Sequence, residues 1–185
     1  MSGKITKSWQ GIFNREFKKE SDRASVILSA AMLDLALESV LKSHLVPTDS
    51  PDDSLIGGVY TPISTFNARI DLARRLGLIS IKFCRDLHII RKIRNEFSHN
   101  IEGCSFDNSS VRNRVFELMR SSGVAERNPK MRERLFMKGT KGDFEMTISW
   151  MLWRLWNLAK EVDTIEPARL EFAYIVGERM LASKE

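Results

Sequence analysis

Apolar residues recur along this chain at three- and four-residue steps, and the polar punctuation between them divides it into helices. From Asp22 to Leu45 the repeat Val26, Ala30, Leu33, Leu37 and Val40 or Leu41 predicts one long core helix, with Ser21 or Asp22 as its N-cap. Pro47 to Ser54 and Gly57-Gly58 break the period and predict a polar connection. Gly57-Gly58 lacks the lysine and hydroxyl of a phosphate loop and reads as a plain turn. Thr61-Pro62 is expected to open the next helix, which buries Ile63, Phe66, Ile70 and Ala73 and stops after Leu76 at Gly77. Ser80 restarts the chain as a helix whose stripe is Phe83, Leu87, Ile90, Phe97 and Ile101, with Arg94 standing on the stripe between Ile90 and Phe97. An arginine there demands a partner, because an unpaired buried charge is costly.

After Gly103, Asp107-Asn-Ser-Ser is expected to cap a shorter helix through Val115, Phe116 and Met119. The last long helix runs from about Asp143 to Asp163, is apolar almost all round between Ile148 and Ala159, and carries Trp150, Trp153 and Trp156. Such a helix is central or lies at a subunit interface. A terminal helix follows from about Pro167 to Ala182, and Ser8 to Lys19, with Ile12, Phe13 and Phe17, reads as a packing arm. No useful strand alternation and no repeat accompany these helices, so the fold class is all-α, a bundle of about six or seven helices.

Length changes this picture little: 185 residues suit a single domain spanning 1–185. Within it, 22–120 is the core, 121–142 a basic connector and 143–185 the C-terminal helices. Cys84 and Cys104 are the two cysteines, and the first ten residues lack a secretory apolar core, so a reducing cytoplasm is the expected location. Arg154 interrupts the apolar run at 148–159, which is also too short for a bilayer, so no membrane span is expected.

Charge changes it more. The formal net charge is +5, yet residues 112–141 hold nine cations against Glu117, Glu126 and Glu133, a local +6. Arg112, Arg114, Arg127, Lys130, Arg132, Arg134 and Lys138 are therefore the candidate nucleic-acid-binding residues. The alternative is a solvated connector.

Candidate chemistry centres on Arg94, Asn95 and His99. A metal-free cut of RNA needs a base, an acid and a cation at phosphorus; His99 supplies the first two roles and Arg94 the third. Five positions on a regular helix separate two side chains by about 140°, so convergence needs a helix end near Phe97 to Asn100 or a second subunit. Asn95 is one turn before His99 and is placed to hold the imidazole or a phosphate oxygen. The competing reading makes both residues cations near a helix C-terminus, with Arg94 paired to Asp34 or Glu38. Cys84, His88, His99 and Cys104 lack a compact zinc spacing, and no metal or cofactor is expected. Ala73 and Gly77 have the spacing of a helix-turn-helix turn, but a following helix that buries Ile81, Phe83 and Leu87 is unsuited to reading DNA. The three tryptophans read as core or dimer contacts before they read as base-stacking platforms.

Residues 66–79, FNARIDLARRLGLI, with 86–100, DLHIIRKIRNEFSHN, and Ser105-Phe-Asp, resemble the mannitol operon repressor family over about 22–120. The resemblance implies an all-helical, dimeric bacterial regulator acting in transcription through nucleic acid or a protein partner. Arg94-Asn95-x-x-x-His99 is also similar to the signature of HEPN domains, many of them metal-independent ribonucleases with the motifs of two subunits meeting in a cleft. That similarity implies catalytic roles for Arg94 and His99 and a supporting one for Asn95. Three functions follow as expectations: a mannitol-repressor-like regulator first, an HEPN-type endoribonuclease as the alternative, and a non-catalytic helical interaction module as the third.

Overall fold

The computed structural model describes residues 20–50, 52–58, 60–100, 103–123 and 139–168. Among them the chain forms five α-helices and no strand: α1 (Asp22–His44), α2 (Phe66–Arg75), α3 (Ile81–His99), α4 (Ser109–Ser122) and α5 (Gly139–Glu161). The arm at 8–19 and the helix expected beyond Pro167 lie outside the described residues, except Pro167 and Ala168 themselves, which are not helical.

The capping chemistry sets most boundaries. The Ser21 hydroxyl accepts from the Ala24 N–H at 3.2 Å to start α1, and the Ser80 hydroxyl accepts from Phe83 at 3.1 Å to start α3. Helix α2 begins four residues later than Thr61-Pro62 suggests. Thr61 is held in a turn by Gly58, its N–H and hydroxyl donating to that carbonyl, and Thr65 becomes the cap by accepting from Ala68 at 3.1 Å. Gly77 follows α2 at φ +76°, a left-handed stop that favours glycine. At the other end of the chain, α5 begins at Gly139, ahead of the expected Asp143.

Helix α1 is the hub, packing on α5, α3 and α2, while α4 packs on α5 and α3. The four longest helices thus form two layers, α1 with α5 and α3 with α4. Lys141 pairs with Asp22 at 3.5 Å and Ser25 donates to Glu145 at 3.1 Å, while Thr164 donates to the Ser43 carbonyl at 3.0 Å. Start meets start and end meets end, so α1 and α5 run parallel. Arg23, near the start of α1, donates to the carbonyls of Phe97 and Asn100 at the end of α3, which makes α3 antiparallel to α1. Val26, Leu33, Leu37, Leu41, Leu87, Ile90, Ile93, Phe97, Phe144 and Ile148 are fully buried between the layers.

By length and composition α1 is apolar enough to cross a bilayer, although half of that stretch is buried against the other helices. Its sealed residues, Val26 through Leu41, are the ones the periodicity assigns to the core.

Candidate functional site

The register of α3 differs from expectation at the residue that matters most. The buried stripe runs Leu87, Ile90, Ile93, Phe97, so Ile93 holds the inward position and Arg94 is exposed. Steps of three then four continue the stripe as well as four then three, and an isoleucine is far cheaper to bury than a guanidinium. Ile81 is likewise exposed, although its position was expected to be buried.

The expected partners of Arg94 belong to another arginine. Arg69, on α2 and almost fully buried, donates through Nη1 to Asp34 at 2.7 Å and pairs through Nη2 with Glu38 at 2.8 Å. It also reaches the Ile56 carbonyl at 3.5 Å. The one hint in the sequence was its place between Phe66 and Ile70, at the edge of that helix's apolar face. Burial raises the Asp34 carboxyl above its ordinary range, outweighing the attraction of Arg69 and, more weakly, that of Arg94, which acts on Asp34 without pairing with it.

The end of α3 is firmly built. Phe97 packs on Phe106 with ring centroids 5.6 Å apart, and Phe106 on Phe144 at 5.2 Å. Arg23 satisfies carbonyls that the helix end leaves open, the usual service of a cation there. The last helical residue is His99, and Asn100 turns to extended backbone with ψ 93°.

On this scaffold Arg94 and His99 are both exposed, and Asn95 is half-buried. Asn95 Oδ1 accepts from Arg94 Nη1 at 3.2 Å, so the amide meets the arginine and not the imidazole. Five positions on one helix leave Arg94 and His99 about 140° apart, and one copy of the chain does not bring them together.

Of the basic set, Arg112 is exposed, and Arg114 is paired with Glu96, which also accepts from the Ser110 hydroxyl. Arg127, Lys130, Arg132, Arg134 and Lys138 lie outside the described residues. Among the described residues no group of three or more His, Cys, Asp or Glu side chains is arranged to hold a metal. His88 stands 3.4 Å from Asp71, and burial raises both the Cys84 and Cys104 thiols.

A different surface combines charge with apolar area. The outer side of α3 and α4 bears two shallow adjoining grooves that share Arg85 and Glu117. Ile81 is 73% exposed and Phe116 53% exposed, and Lys82, Arg85, Lys92 and Arg120 surround them.

No family model and no curated protein matches this chain by sequence. The fold does have a match. The X-ray structure of the MtlR–HPr complex from Escherichia coli contains a chain that superposes with a TM-score of 0.59 at 13% identity, covering 80% of this chain and 98% of that one. The chain has an MtlR-like helical fold. Identity that low carries the architecture and nothing finer.

Proposed function

We propose that this chain is a cytoplasmic bacterial regulator of the mannitol-repressor type, and that it acts by docking a protein partner. The observation that carries the reading is the fold shared with the MtlR–HPr complex, a regulator solved together with another protein. The outer α3–α4 surface suits such a contact, because exposed Ile81 and Phe116 amid cations supply the apolar anchors and polar rim of a protein interface. For a nucleic acid, the described candidates are Arg112, which is exposed, and Arg114, which is tied to Glu96.

The test is titration calorimetry with purified HPr, alongside a labelled duplex DNA with competitor. Saturable HPr binding, weakened about tenfold or more by Ile81→Asp or Arg85→Glu, is the expected result. Sequence-preferring DNA retention at physiological salt without HPr binding would replace the protein reading with direct DNA recognition.

A second reading keeps the alternative of a metal-independent endoribonuclease, using Arg94 and His99 with Asn95 in support. It is favoured by one observation: α3 ends at His99, leaving both side chains open to solvent. RNA cutting in EDTA, lost in both Arg94→Ala and His99→Ala with the helical signal intact, would support it. Intact RNA after prolonged incubation at micromolar protein would sink it.

A further inference from the structure

Beyond its first turn, helix α1 keeps its outward charges, Asp34, Glu38 and Lys42, to its second half. Its buried arc is Val26, Ala30, Leu33, Leu37 and Leu41, yet the opposite arc from Ala24 to Leu35 is Ala24, Ile27, Leu28, Ala31, Met32 and Leu35, with Asp34 at its edge as the one charge. Ile27 is 41% exposed and Leu35 61% exposed. A surface helix of a globular protein ordinarily turns charged residues outward, and a helix apolar all round is ordinarily covered all round.

The neighbouring helix extends this face. The Ser25–Glu145 hydrogen bond marks the seam between α1 and α5. Because the helices run parallel, the residues on the outer side of that seam share one plane. On α5 these are Met146, Trp150 and Trp153, with Trp150 45% and Trp153 42% exposed and their rings edge to face at 6.0 Å. Helices of 23 residues are about 34 Å long, and two side by side span about 20 Å, so the plane offers on the order of 700 Å². That whole plane, charged Lys42, Arg154 and Lys160 included, is close to the roughly 800 Å² per partner of a standard stable interface.

We propose that this α1–α5 face is covered by a second copy of the chain, related by a two-fold axis that passes beside Ala31 with the two α1 helices antiparallel. The pattern is self-complementary in that register. Ala31 meets Ala31, and the small side chains allow close approach of the helices. Ile27 of each copy stands over Leu35 of the other, and no like charges are opposed at the centre. Away from the centre, Asp34 and Glu38 are held by Arg69 of their own copy, and Glu38 also pairs with the exposed Lys42 toward the end of the helix. This proposal does not rest on HPr being the external partner.

Sedimentation velocity on the full chain is the first test, with a dimer expected at about 10 μM and a dissociation constant raised about a hundredfold by Leu35→Glu. The second test fixes the register. In a Cys84→Ser, Cys104→Ser background, Ala31→Cys is expected to give disulfide-linked dimers under mild oxidation. Ala24→Cys should not, because the two copies of that position would be about 21 Å apart along the axis. Should Leu35→Glu fail to fold, the cysteine pair still decides. A wild-type monomer at 50 μM overturns the proposal, and so does a dimer in which Ala24→Cys links as readily as Ala31→Cys.

Discussion

Asp143 is buried on the first turns of α5, and its Oδ1 has no hydrogen-bond partner. Desolvation pushes its pKa from an ordinary 3.8 to about 6. The folded state therefore holds a proton that the unfolded state releases, and its stabilising contribution is present below about 3.8 and lost as pH rises through about 6. Asp143→Asn, which keeps the size and removes the charge, is expected to raise the urea midpoint at pH 7.5 and to leave it nearly unchanged at pH 4. Equal midpoint shifts at both pH values would show that titration is not the cause. Arg69 offers the opposite test. Arg69→Met keeps the bulk but strands Asp34 and Glu38 beside each other, and should cost about 3 kcal/mol in denaturant unfolding. Arg69→Lys should recover only part of it, since a single ammonium does not span two carboxylates and the Ile56 carbonyl.

At the scale of the element, the caps show what was legible in the sequence. Ser21, Ser80 and Gly77 act where their chemistry says they should, because a cap needs only its own helix to work. Ser80→Ala should therefore cost about 1 kcal/mol, read from the thermal midpoint. A change below 0.3 kcal/mol would show that the start of α3 is held by packing and not by its cap. Arg94 shows what was not legible. Two spacings continue the α3 stripe equally well, and only the neighbours of α3, Phe106 among them, select Ile93 and Phe97 as the inward pair. Of the candidate site at Arg94, Asn95 and His99, the helix end that its convergence requires does fall at His99. The surroundings of the site were not legible, because the carboxylates assigned to Arg94 lie on α1 and face Arg69 of α2. The outer face of α1 was hidden for a related reason, and α5 could be read only as central or at an interface. Periodicity identifies residues suited to burial, and an interface residue has the same composition as a core residue.

At the scale of the molecule, the two layers give the two proposed surfaces opposite sides: α1 and α5 present one, α3 and α4 the other. A dimer closed through the first leaves the second open on both copies. The Ala31→Cys dimer, once linked, is therefore expected to bind two partner molecules per dimer with the affinity of the unlinked protein, measured by the same calorimetry. Ile81→Asp should weaken that binding about tenfold or more and leave sedimentation unchanged. The same geometry opposes a composite ribonuclease cleft in this dimer. Arg23 ties the end of α3 to the start of α1, and in the antiparallel register the two Arg23 residues are about 24 Å apart along the axis. His99 of one copy then stands far from Arg94 of the other, beyond the reach of a single phosphate. Mixing Arg94→Ala with His99→Ala protein should accordingly restore no RNA cutting. Recovery of activity in the mixture would mean that the copies meet through the end of α3, and the α1–α5 face would then need another occupant.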